Sequence, residues 1–249
     1  MPHRLFLIAL AILLTAATPA RADDVAATYD RAVVYVPGAR GPVTPAEVKI
    51  SRRYPAVVFL HGCSGIGTRE QDAHRWGAHI AAQGYVAVIP DSLARSRPAS
   101  CDRKSRTASM FPGVFDLRRA EARHAADRIR AAPWFNGATL VLMGYSEGAI
   151  AALSSKLDGF TAVIATAWTC NIRFVYWLDG ISVAPETPLL TIAFERDRWF
   201  QSWIFSGSCA DRFDGRRDAR HVALSGQGHG TASSPIARKA VADFLARFL

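Results

Sequence analysis

The chain has 249 residues, half of them apolar and a fifth charged. That balance excludes a disordered or fibrous polypeptide and suffices for one large α/β domain. Its 30 Lys and Arg against 21 Asp and Glu give a formal net charge of +9. The basic residues are scattered, and no helix-turn-helix, zinc-finger or RNA-binding signature accompanies them, so no nucleic-acid partner is expected. Weak attraction to anionic surfaces or substrates is the milder consequence.

The first residues, MPHRLFLIALAILLTAATPARA, read as a secretory signal peptide over 1–22. An apolar run from Leu5 to Ala17 follows a basic start, and Ala20 and Ala22 occupy the small-residue positions of a cleavage site before Asp23. The run is shorter than the roughly 20 apolar residues that cross a bilayer. A periplasmic or secreted mature chain, 23–249, with no stable membrane span is therefore expected. Losing Arg4 and Arg21, and no acid, lowers its formal charge from +9 to +7.

Along the mature chain, 32–36 and 47–50 are short runs split by the turn-rich GARGPVTP, and they read as an opening antiparallel pair. AVVFL (56–60) is a continuous apolar run, the pattern of a buried parallel strand, and it ends at His61-Gly62. Helical spacing over 71–83 places Trp76 and Ile80 on one face and stops at Gly84. YVAVIP is a further strand; a polar loop over 92–112 then leads to a helix over 114–132. TLVLMG is the next strand, followed by a helix over 146–157. TAVIATAW, LLTIAF and HVALSG supply three more strands before a last helix over 235–249. This alternation predicts a mainly parallel sheet with helices on both faces, in which reactive groups gather at the carboxyl ends of strands.

Three strand ends carry chemistry. In GYSEG, Ser146 stands two residues past the strand, at the start of a helix, flanked by Gly144 and Gly148. A sharp strand-to-helix turn would raise its hydroxyl above the sheet, the glycines avoiding collision with neighbouring elements. An ordinary helix N-cap serine is the bland alternative. A serine hydroxyl needs a base, and His229, in the glycine-rich SGQGHG after the last strand, is placed to be one. His74, His79, His124 and His221 fall within predicted elements and read as packing or surface residues. The imidazole in turn needs a carboxylate. Glu195 and Asp197 both follow LLTIAF, and Asp197 is preferred because Glu195 stands nearer the strand. The order Ser146, Asp197, His229 is that of α/β-hydrolases. The oxyanion donors would be the backbone N–H groups of Cys63, in HGCSGIG, and of Glu147. His61 would brace that loop, and Gly62 would permit close backbone approach. The Glu147 side chain is left open between a supporting contact and solvent.

Together LHGCSGIG, GYVAVIPDS, GYSEG, the ERD loop and GHG resemble the α/β-hydrolase superfamily, nearest the dienelactone hydrolase family. The resemblance spans about 33–249 and implies an eight-stranded sheet, hydrolysis without metal or cofactor, and a small acyl or lactone substrate. Well-studied members of the family use cysteine as nucleophile where this chain has Ser146, a departure that bears on lactone specificity and leaves general ester hydrolysis intact. Four cysteines in an exported chain imply two disulfides, with three pairings possible. The strand neighbours that the resemblance implies favour Cys63–Cys101 and Cys170–Cys209. Around the site, Trp168, Phe174, Tyr176, Trp177, Trp199, Phe200, Trp203 and Phe205 would line a cap or the core. Arg95, Arg97, Arg103, Lys104 and Arg106 read as a solvated basic loop. The expected function is a serine hydrolase of small-molecule carboxylic esters working through an acyl-enzyme. A peptidase or amidase with the same triad, or a non-catalytic envelope binding protein, are the alternatives.

Overall fold

A computed structural model describes residues 22–67, 71–95, 112–154, 156–173 and 179–249. Most of the leader therefore lies outside the described residues. So do Cys101, Arg97, Arg103, Lys104, Arg106, Phe174, Tyr176 and Trp177.

Helix α1 (Ala22–Asp30) and the short strand β1 (Val33–Tyr35) open the fold. Strand β2 (Tyr54–Leu60), helix α2 (Gln71–Ala82) and strand β3 (Val86–Ile89) follow. Next come helix α3 (Pro112–Arg130), strand β4 (Phe135–Tyr145), helix α4 (Glu147–Leu153) and strand β5 (Ala162–Thr166). Strands β6 (Leu189–Arg196) and β7 (Ala219–Gln227) precede the final helix α5 (Pro235–Leu245). The strands form one sheet in the order β1-β3-β2-β4-β5-β6-β7. All neighbours are parallel except β1, which pairs antiparallel with β3.

Both faces are covered, which is why the central strands are written in uninterrupted apolar residues. Along β2 the side chains alternate. Ala56, Val58 and Leu60 join one core with Phe115 and Ile129 of α3 and Ile150 of α4. Val57 and Phe59 join the other with Trp76 and Ile80 of α2 and Phe244 of α5. Because both sides are apolar, it is the size and shape of the side chains that set the register: a one-residue slip would exchange the residues of the two close-packed cores.

Three expectations need correction. The stretch 47–50 forms no strand, and β1 pairs with β3 instead. Thr44-Pro45-Ala46-Glu47 folds instead as a capped 3-10 turn, Pro45–Glu47. The Glu47 carboxylate accepts from the Thr44 N–H and hydroxyl, both at 2.8 Å. A Thr-x-x-Glu box with proline at the first helical position outweighs the short apolar run after it. The sheet accordingly has seven strands among the described residues, not eight. Helix α4 also stops at Leu153, with Ser154 at its C-terminus, short of the expected 157.

Cys170 and Cys209 form a disulfide with their Cα atoms 4.8 Å apart, tying the loop after β5 to a 3-10 turn before β7. Cys63 is also disulfide-bonded. The sequence separation of 39 between Cys170 and Cys209 closes a loop worth about 4 kcal/mol in the chain-entropy account. A Cys170→Ser/Cys209→Ser double variant should lose stability on that scale in urea unfolding; an unchanged midpoint would contradict it.

Candidate active site

Strand β4 ends at Tyr145 and α4 begins at Glu147, so Ser146 alone makes the turn between them, at φ 55° and ψ −117°. A β-substituted residue rarely adopts positive φ, and doing so costs on the order of 1–3 kcal/mol unless the surroundings impose it. Here they do. The Ser146 N–H donates to Thr166 O at 2.9 Å, and Ser146 O accepts from Ala149 and Ile150 at 2.9 and 3.1 Å. The flanking glycines set how closely the elements approach. A Cβ on Gly144 would sit 2.2 Å from Gly148 O, and one on Gly148 would sit 2.1 Å from Leu60 O at the end of β2. No side chain fits at either position, so G-x-S-x-G records a packing constraint.

The Ser146 hydroxyl does not cap its helix. It lies 3.0 Å from Nε2 of His229. On the other side of the ring, Nδ1 of His229 is 2.6 Å from Oδ2 of Asp197. A carboxylate partner assigns the proton to Nδ1 and leaves the Nε2 lone pair facing the serine. Asp197 is buried, and its other oxygen accepts from the Trp199 N–H at 3.0 Å, which fixes the carboxylate. Glu195 is exposed at the end of β6 and makes no such contact with His229. The sequence order of the three residues is thus also a spatial chain of hydrogen bonds.

The loop bearing His229 is held from behind by α2. Asp72 accepts from the Ala232 N–H at 3.4 Å, and Trp76 donates to the Thr231 hydroxyl at 3.4 Å. Gly228 lies against the Phe194 ring, where a Cβ would come within 2.7 Å. The rings of Tyr145, Trp199 and Phe200 surround the imidazole at 5.2 to 5.8 Å. Trp168 is buried and stacks edge-on with Phe200 and Phe205, whereas Trp203 is exposed.

The loop after β2 passes beside the serine. A Cβ on Gly62 would lie 3.5 Å from Cβ of Ser146 and 3.0 Å from the Tyr145 ring. Cys63 follows it, and Glu147 is the first residue of α4. His61 is buried; its Nδ1–H donates to Gly62 O at 2.6 Å and its Nε2 accepts from the Ser92 N–H at 3.1 Å. Burial, with the Arg118 guanidinium nearby, drives its pKa well below the usual 6.5, so the ring is neutral.

Beneath this loop lies a charge cluster that the sequence reading missed. Arg95, Arg118, Glu121 and Glu147 are all buried. Arg95 is therefore no solvated loop residue: it donates to Glu121 at 2.8 Å and to Leu117 O at 3.1 Å. Glu147 is not solvated either, since Arg118 Nε stands 3.8 Å from its carboxylate. The signal was the helical spacing of Phe115, Arg118, Ala122, Ala125 and Ile129, which puts a charge on the core face of α3.

Among the described residues no group of three or more His, Cys, Asp or Glu is arranged to hold a metal ion, and no helix is long and apolar enough to cross a membrane. A cavity of about 640 Å³ adjoins the acid side, bounded by Asp197, Phe200, Phe205, Thr169 and His221. Neither Ser146 nor His229 lines it, so it flanks the hydrogen-bonded chain and does not contain it.

The sequence profile of the Dienelactone hydrolase family matches residues 42–168, from before β2 to just past β5. The chain belongs to the dienelactone hydrolase family. It is thus a hydrolase of α/β-hydrolase fold. No curated protein matches it. Three solved structures show the same fold at low identity. Est1E from Butyrivibrio proteoclasticus, also solved with ferulic acid bound, is 11% identical, with TM-score 0.55, over 87% of this chain and 93% of its own. XC6422 from Xanthomonas campestris, described as an α/β serine hydrolase without lid, is 17% identical, with TM-score 0.56, over 88% of each chain. A dienelactone hydrolase-like promiscuous phosphotriesterase, P91, from metagenomic libraries is 16% identical, with TM-score 0.57, over 80% of this chain and 88% of its own.

In this dienelactone hydrolase family member, His79, His124 and His221 share with His61 a pKa lowered chiefly by burial. A depressed histidine pKa means that the unfolded chain takes up protons near pH 6.5 that the native chain resists. Stability is then fully present above that pH and lost as the pH falls below it. The urea midpoint should drop between about pH 7 and pH 5; a flat or rising midpoint would contradict the buried, neutral assignment.

Proposed function

We propose that this chain is an exported serine hydrolase of carboxylic esters, with Ser146 as nucleophile, His229 as general base and acid, and Asp197 as the group that orients His229. The 3.0 Å contact between the Ser146 hydroxyl and His229 Nε2, continued at 2.6 Å to Asp197, carries the reading. Attack of Oγ on the ester carbonyl transfers its proton to Nε2, and Asp197 stabilises the imidazolium. The tetrahedral oxyanion would take hydrogen bonds from the backbone N–H groups of Cys63 and Glu147. His229 then protonates the leaving alkoxide, an acyl-enzyme remains, and water activated by the same imidazole releases the acid.

Small acyl, aryl or lactone esters fit best. The aromatic wall of Tyr145, Trp199 and Phe200 beside His229 favours an aromatic or apolar acyl group. Est1E with its bound ferulic acid lends the same direction. The cavity beyond Asp197 offers room for a remote part of a substrate, not for its carbonyl, because it excludes Ser146. Export to the periplasm or beyond is supported by the leader pattern of residues 1–22 and by the Cys170–Cys209 disulfide, a bond of oxidising compartments.

A fluorophosphonate probe should label the wild-type protein, and Ser146→Ala should abolish both labelling and turnover of p-nitrophenyl esters. Asp197→Asn should lower kcat by about ten-thousand-fold by presenting the wrong tautomer. Persistent labelling or turnover in Ser146→Ala would overturn the assignment.

A further inference from the structure

The buried charge cluster has a place in the fold that packing alone does not require. Arg118, on α3, is 2% exposed and its guanidinium fork reaches three elements. One Nη donates to the backbone carbonyl of His61, in the loop that carries Cys63. The other donates to Glu121 at 3.0 Å and also lies 3.4 Å from His61 Nε2. Its Nε, which has no hydrogen-bond partner, faces Glu147 Oε1 at 3.8 Å. Glu121 is itself held by Arg95 at 2.8 Å and by the Ser92 hydroxyl at 2.6 Å, and Ser92 in turn donates its N–H to His61.

Two cations and two anions make the cluster neutral, so it supplies shape more than a net field. Desolvating four charges is expensive, and buried ion pairs are often no more stabilising than apolar residues of equal volume. What the cluster does provide is a rigid link between two segments far apart in sequence. The arginine fork is planar and preorganised. On one prong it holds the loop of His61 and Cys63, and on another it faces the side chain of Glu147, whose backbone N–H follows the nucleophile.

We infer that Arg118 is a positioning residue for the oxyanion hole, fixing the separation between the Cys63 and Glu147 backbone donors through its contacts with His61 O and the Glu147 carboxylate. The inference rests on the function proposed above. Donors of this kind act on the tetrahedral species and hardly at all on the ground-state ester. Loosening the link should therefore penalise kcat, and the binding of transition-state mimics, much more than KM. A misplacement near 1 Å is enough for about a hundredfold loss.

The test uses the full chain and compares trifluoroacetophenone with acetophenone as inhibitors of p-nitrophenyl acetate turnover. In the fluorinated ketone's adduct, Ser146 Oγ bonds to the carbonyl carbon, the oxygen becomes the oxyanion, and the hydroxyl proton moves to His229. Acetophenone forms no stable adduct and reports ground-state binding. Arg118→Lys keeps the charge and removes the fork; it should weaken the fluorinated inhibitor by about tenfold to a hundredfold and lower kcat in step, while acetophenone binding and KM stay within about twofold. Glu147→Gln, which keeps shape and backbone, should do the same on a smaller scale, about threefold to tenfold, and decides the matter if Arg118→Lys does not fold. A purely structural role would instead lower the melting temperature and leave the ratio of the two inhibition constants at its wild-type value, which would overturn the inference alone. A wild-type protein that neither turns over the ester nor forms the adduct would overturn the proposed function, and this inference with it.

Discussion

The left-handed backbone at Ser146 is the constraint from which the rest of the site follows. It is strained for a serine, and it persists because β2, β4 and α4 close around it to distances that only glycine permits at 144 and 148. Every residue of α4 is buried, so the helix cannot drift to relieve the turn. The hydroxyl therefore stands clear of its own helix and meets an imidazole 83 positions later in the chain. A cost on the order of 1–3 kcal/mol at one residue is small beside the apolar surface that α4 and the central strands remove from water.

The two faces of the sheet divide the work of holding the partners. On one face, α2 braces the His229 loop through Asp72 and Trp76, and Phe194 packs against Gly228. On the other, α3 sends Arg118 under the loop after β2, where His61 stays neutral and bridges Gly62 to Ser92. Polar groups this deep are tolerable because nearly all have partners. Among the described residues, the exceptions in buried side-chain atoms are Arg118 Nε and Trp168 Nε1. The site is thus supported by hydrogen bonds from elements that share no sequence neighbourhood with it.

That division explains what the sequence made legible. AVVFL, YVAVIP, TLVLMG and LLTIAF read as strands because a sheet covered on both faces admits little else. The placement of Ser146, Asp197 and His229 followed from the strand ends. The preference for Asp197 over Glu195 agrees with which carboxylate faces the imidazole. The stretch 47–50 misled, since Thr44 and Glu47 spend their side chains on a local cap and so end the extended run before it can pair. Arg95 and Arg118 were missed for a different reason. An arginine is ordinarily a surface residue, and only its position on the apolar stripe of α3, or the partner it meets in three dimensions, shows otherwise. Pairings that depend on contact across the fold, such as Arg118 with His61 and Glu147, leave no mark on local pattern.

The most direct measurement is a rapid acid quench of the protein mixed with p-nitrophenyl acetate, followed by peptide mass mapping. The account predicts an acetyl group on the peptide that contains Ser146, building up within the first turnover and decaying once substrate is exhausted. Sustained ester hydrolysis with acetyl on another residue, or on none, would contradict it.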